Sequence, residues 1–163
     1  MRIKYKRRRK EKTDYRARLA LLKSGLPRLV VRKTNRYIIA HVVKHHGAQD
    51  YTIAYCNSKE LKKYGWPFSF KNLAASYLTG FLLGKKYSRL EKSEKNLILD
   101  IGLQRSTKGS RIYACVLGMI EAGFNVKCNK KMLPEEKRIT MEYKNEKIKE
   151  IIKRIKDLIE KNA

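Results

Sequence analysis

Acidic residues are scarce in this chain: 15 Asp and Glu stand against 40 Lys and Arg, a formal net charge of +25 over 163 residues. So lopsided a charge repels itself in a compact fold, and the natural counterweight is a polyanion. Charge alone leaves RNA, DNA and an anionic membrane open. Cysteine is scarce too. Cys56, Cys115 and Cys128 show no CxxC spacing, so neither a disulfide framework nor a zinc site is expected, and all three read as small buried hydrophobes in a reducing interior. No apolar run approaches the length of a bilayer span, and the basic N-terminus lacks the apolar stretch of a secretory signal. GxSxG and HExxH signatures are missing as well.

One stretch imitates a nucleotide site. In "LILDIGLQRSTKGSRIYAC" (residues 97–115) an apolar run stops at a glycine, a basic hydroxyl-rich loop follows, and an apolar helical pattern resumes. A P-loop needs GxxxxGK followed by Ser or Thr, because the lysine must reach the terminal phosphates and the hydroxyl must hold magnesium. Here six residues separate Gly102 from Gly109, Lys108 precedes the second glycine and Ser110 follows it. GxGxxG fails too, so no nucleotide cofactor is expected.

Carboxylates limit the hydrolytic alternative. An RNA-processing nuclease would need several convergent acids to hold hard cations. Residues 19–129 offer Asp50, Glu60, Glu91, Glu94, Asp100 and Glu121, of which Asp100 alone falls inside a convincing strand. It is expected to accept a buried hydrogen bond or to pair with an arginine. His41, His45 and His46 could be proposed as acid/base groups or ligands. His41 and His45, however, fall in or at the end of a strand with no acidic partner expected beside them, so solvated or groove-facing histidines are expected. No catalysis, metal or cofactor is expected.

What the chain does hold is 42% hydrophobic residues, enough for a packed core, in a length that suits one domain burying about 70% of its unfolded surface. Residues 1–18, "MRIKYKRRRKEKTDYRAR", carry a net +8 and predict a mobile RNA-binding arm. Asp14 to Ser24 predicts a short helix closed by Gly25. "RLVVRKT" and "RYIIAHVV", joined at Thr34-Asn35 with Asn tolerating positive φ, then "YTIAYC" after "HHGAQD", predict a three-strand antiparallel meander with Tyr51, Ile53 and Tyr55 on one face. Leu73, Tyr77, Leu78, Phe81 and Leu82 predict a helix ending near Gly84, and "NLILDIGL" a central strand. Ile112, Tyr113, Val116, Leu117 and Ile120 predict a helix closed by Gly123. Pro134 could start a helical turn, and Ile148, Ile151, Ile152, Ile155 and Ile159 predict a C-terminal helix docked on the body or on a neighbour. The result is an α/β fold with a mixed sheet, divided as arm 1–18, α/β domain 19–125 and helical extension 126–163. The positive excess lies upstream, with +13 in residues 19–129.

Cations interleaved with stackable rings suit an RNA whose phosphates need neutralising and whose unpaired bases need a platform. The arm supplies Arg2, Lys4, Lys6, Arg7, Arg8, Arg9, Lys10, Lys12, Tyr15, Arg16 and Arg18. The first hairpin supplies Arg32, Lys33, Thr34, Asn35 and Arg36, and the long loop Lys62, Lys63 and Trp66, the last either RNA-facing or core. Arg105, Ser106, Lys108 and Arg111 surround the start of a helix whose N–H groups attract phosphate. These contacts would position the RNA rather than read its sequence. The arm has no Leu, Phe or Trp face for membrane insertion.

"RRRKEKTDYRARLALLKSGLPRLVVRKTNRYIIA", "ELKKYGW", "AASYLTGFLLGKK" and "LDIGLQRSTKGSRIYACVLGMIEAG", in this order, resemble the large-ribosomal-subunit protein family numbered eighteen in the universal scheme, in its archaeal/eukaryotic form. The resemblance runs from the arm to about Phe124 and fades beyond it. It implies a ribonuclease H-like α/β fold without nuclease chemistry and a cytoplasmic, ribosomal protein. It also implies binding to 5S rRNA, partly through the arm. That RNA would be seated in the central protuberance against 23S-type large-subunit rRNA and neighbouring large-subunit proteins.

Overall fold

The computed structural model describes residues 5–47, 49–91, 94–140 and 147–162. Within the arm, α1 (Lys6–Arg9) is a single turn, and α2 (Tyr15–Lys23) begins where the Asp14 side chain accepts the N–H groups of Arg16 and Ala17. Such a cap stabilises a helix by about 1 kcal/mol. Gly25, at φ +66°, turns the chain out of it. Neither helix buries a residue, and Leu19 is left 56% exposed.

β1 (Arg28–Lys33), β2 (Ile38–His46) and β3 (Gln49–Asn57) form the expected meander, β2 being antiparallel to both neighbours. The β1–β2 loop is closed by Thr34, whose N–H and hydroxyl both donate to the Tyr37 carbonyl, and Asn35 keeps negative φ; the predicted positive-φ turn is replaced by this wider closure. Gly47, at φ +61°, makes the second turn. A register shift between Val42 and Val43 sets Tyr55 opposite His41 but Tyr51 opposite Lys44. Three residues apart on β2, those partners face opposite ways, so the tyrosines do not share the face that simple alternation predicts.

A 3-10 helix (Ser58–Tyr64) follows, opened by a capping box between Asn57 and Glu60 and closed by Gly65 in the left-handed region. Next come α3 (Leu73–Leu90), β4 (Asn96–Asp100), α4 (Arg111–Glu121) and β5 (Asn125–Lys127). β4 pairs parallel with β1 and with β5, giving the strand order β3-β2-β1-β4-β5. β5, three residues long, carries too little pattern to be predicted. Gly123 ends α4 at φ +102°, as expected.

α3 runs past Gly84, the expected stop, because that glycine serves packing. A Cβ added at Gly80 would lie 1.9 Å from the Cys115 carbonyl oxygen, one at Gly118 2.0 Å from the Tyr77 carbonyl oxygen, and one at Gly84 2.3 Å from Ala122 Cβ. The three glycines let α3 and α4 cross with their backbones in contact against one face of the sheet. Past a short 3-10 turn (Lys130–Met132), α5 (Glu136–Thr140) and α6 (Lys147–Asn162) pack on α3. Ile148, Ile152, Ile155 and Ile159 join the same buried cluster as Leu29, Ile38, Leu78 and Leu82. Cys56 and Cys115 are buried thiols, and burial pushes Cys115 up to about 12.

Candidate nucleic-acid interface

Strand directions decide where the basic stretches meet. β1, β3 and β4 end at the same edge of the sheet, and β2 begins there. The 34–37 loop, the 3-10 helix after β3 and the 101–110 loop after β4 therefore emerge side by side. Hydrogen bonds join them: the Gln104 amide exchanges bonds with the backbone N–H and carbonyl of Lys33, the Ile38 N–H donates to Ser58 Oγ at 3.0 Å, and Arg111 donates to the Lys71 carbonyl. The arm reaches this edge as well. Arg7, Lys12, Thr13 and Leu21 share a crevice of about 610 Å³ with Arg32, Leu99 and Gly102. Crevices outside the C-terminal ends of strands, at the point where the strand order reverses, are where open α/β sheets bind ligands, and here that point lies between β1 and β4.

Asp100 holds the middle of the edge. Its Oδ2 accepts from Arg28 Nη1 at 2.9 Å; its Oδ1 accepts from Arg32 Nη2 at 2.8 Å and from the Gly102 N–H at 2.9 Å. Burial disfavours ionisation of this carboxyl, but the Arg32 hydrogen bond and charge, then Gly102 and Arg28, outweigh it and hold its pKa below the usual value. Two guanidiniums thus occupy a strand carboxylate that could have begun a metal site. Among the described residues no three His, Cys, Asp or Glu side chains group as metal ligands. Gly102 is required twice: its φ is +62°, and a Cβ there would stand 2.9 Å from Arg32 Cζ.

Individual candidates divide by exposure. Lys6, Arg7, Arg8, Arg9, Lys10, Lys12 and Arg16 are solvent-facing, as are Asn35, Arg36, Lys62, Lys63, Arg105 and Lys108. Arg2 and Lys4 lie outside the described residues. Tyr15 is partly covered by the Tyr5 ring at 5.4 Å. Other candidates are engaged with the protein itself. The Arg32 guanidinium is held by Asp100, the Thr34 hydroxyl closes its loop, and Ser106 Oγ bonds Tyr113 Oη at 2.6 Å. Trp66 is 4% exposed, with its indole N–H on the Ser69 carbonyl and its ring edge-on to Phe68, so it belongs to the core and offers no face to a base. Ser110 sits at the N-cap of α4 without a side-chain cap bond, while the Gly109 N–H donates to the Met132 carbonyl.

Strand pairing reveals what local sequence hid. His45 does have an acidic partner, since the β2–β3 register sets it opposite Asp50, with Nδ1 3.0 Å from Oδ1. Tyr55, 47% exposed, and Lys59 share a surface groove with Lys62 and Lys63. Tyr55 was legible from its place between the core-facing Ala54 and Cys56. His41, half-buried beside it, has its pKa lowered by burial and by Arg32.

The sequence model of the family described as ribosomal large subunit proteins 60S L5 and 50S L18 matches residues 1–96. Large ribosomal subunit protein uL18 of Korarchaeum cryptofilum is 52% identical over 141 residues, covering 86% of this chain and 71% of its own length. The chain belongs to the uL18 family. Its likeness to uL18 of Methanospirillum hungatei is 42% over 141 residues, covering 86% of this chain and 79% of that one. With uL18 of Methanoregula boonei it is 37% over 159 residues, 96% of this chain and 90% of the other, so the likeness reaches past Phe124 into the C-terminal segment. uL18 proteins are structural constituents of the large ribosomal subunit rather than enzymes, which makes this chain a ribonucleoprotein component of the cytoplasmic ribosome. No helix among the described residues is long and apolar enough to cross a membrane.

Proposed function

We propose that this uL18 protein binds 5S rRNA through the basic sheet edge and arm, and helps attach it to 23S-type rRNA and neighbouring proteins in the central protuberance. The observation that carries this reading is convergence: four basic stretches, spread from residue 6 to residue 111, meet at one edge of one sheet. Lysines and arginines presented there suit phosphates of a folded RNA, with Tyr55 and Tyr15 available for unpaired bases. The strand order, with two parallel pairs beside an antiparallel meander, supports a ribonuclease H-like assignment of the fold. Asp100, engaged by two arginines, supports a version of that fold emptied of nuclease chemistry. We read residues 1–18 as arm, 19–125 as RNA-binding body and 126–163 as a helical extension.

Binding to labelled 5S rRNA across a salt series tests the proposal. With 6–10 phosphate contacts, affinity should fall by roughly 10³–10⁵ between 50 and 200 mM salt, and 5S rRNA should outcompete an unrelated RNA of equal length. A salt-insensitive interaction, or equal affinity for both RNAs, would overturn it.

A further inference from the structure

The arm is rich in charge and poor in apolar contact, yet one of its arginines is held. Arg18 Nη2, on α2, lies 2.6 Å from Asp50 Oδ2 at the start of β3. The same oxygen lies 2.7 Å from Arg28 Nη2, and Oδ1 meets His45 at 3.0 Å. Arg28, with its side chain 4% exposed, continues to Asp100, and Asp100 to Arg32 and the Gly102 N–H. Charges of alternating sign thus run from the arm, across β1, to the base of the 101–110 loop and to the arginine that enters the 34–37 loop. Three of the four basic elements of the proposed interface, the arm, the 34–37 loop and the 101–110 loop, are joined by this one chain of contacts.

We propose that Asp50 is a positioning residue for RNA binding, docking α2 through Arg18 so that the arm stands in register with the sheet edge before RNA arrives. The inference rests on the RNA-binding reading above. Its physical ground is that α2 buries no residue fully, leaving Tyr15, Leu21 and Leu22 only half-covered, so the Arg18 ion pair is the specific tie that adds to its limited packing. Arg18, with its side chain 39% exposed, keeps donors free for phosphate while one nitrogen is docked. Preorganisation of this kind raises affinity by removing ordering that binding would otherwise have to impose.

Asp50→Asn makes the sign of the effect decisive. Removing an anion from a protein that binds a polyanion ordinarily strengthens binding; loss of docking should instead weaken binding of 5S rRNA, by about tenfold. The loss should vanish in an Arg18→Ala background, and without RNA the Asn variant should be cut by trypsin within residues 5–18 several-fold faster than wild type. An Asp50 that merely stabilises the fold would lower the unfolding temperature and leave the folded protein's affinity at or above the wild-type value; that result overturns the inference. So does an equal loss with and without Arg18, or unchanged tryptic cleavage. A wild-type protein that ignores 5S rRNA would instead overturn the RNA-binding reading, while the cleavage rates still decide whether Asp50 docks the arm.

Discussion

The two terminal segments of this chain are both rich in lysine and both helical, and they meet the body in opposite ways. α2, "YRARLALLK", buries nothing and is tied down by Arg18 on Asp50. α6, "KIKEIIKRIKDLIEKN", sinks four isoleucines into the core. Its cations then decorate the seam: Lys156 pairs with Glu121 and lies over the Tyr77 ring at 4.8 Å, and Lys85 on α3 pairs with Glu160. What separates the two is the spacing of apolar side chains rather than charge. Isoleucines at intervals of three and four make a continuous stripe, whereas three leucines among arginines do not. One end of the chain is held by the hydrophobic effect; the other is left to electrostatics and to its partner.

The largest expected effect tests the apolar end. Ile155→Ala, at a site 1% exposed, should lower the free energy of unfolding by about 2–5 kcal/mol in denaturant titrations while leaving the folded protein's RNA affinity unchanged. Acid separates the two modes next. Asp100 and Asp50 both have folded pKa values below their ordinary one; burial works against this, and their arginine partners, with Gly102 for Asp100 and His45 for Asp50, outweigh it. The stabilisation they supply is therefore present above about pH 4, the unfolded value, and is lost as pH falls through the lower folded values. Unfolding free energy measured against pH should show wild type and Asp100→Asn far apart at neutral pH and converging below about pH 4. A gap constant with pH would mean the arginine network contributes nothing to acid stability.

Much of the fold was legible because the local patterns are strong: the Asp14–Ser24 helix with its closing Gly25, the β-branched runs, the turn in "HHGAQD" and Gly123 all mark boundaries that the structure keeps. Asp100, expected from its strand to accept a buried hydrogen bond or to pair with an arginine, does both. Misreadings arose where meaning depends on a distant segment. Gly84 looks like a helix stop until α4 is laid against it. His45 looks unpartnered until β3 folds back. Trp66 sits among lysines in sequence and among apolar rings in space. For the interface, exposed lysines could be picked from composition, but only the strand order brings their loops to one edge.

The smallest expected change in stability belongs to the measurement that tests the account most directly. Deleting residues 1–12 removes no buried side chain among those described, so thermal unfolding of the body should be nearly unchanged, by less than about 0.5 kcal/mol. The same deletion takes away eight Lys and Arg. Affinity for 5S rRNA should therefore fall at least tenfold, with a shallower salt slope. A deletion that unfolds the body, or that leaves 5S rRNA binding and its salt dependence intact, would contradict the division between an apolar-held tail and an arm reserved for RNA.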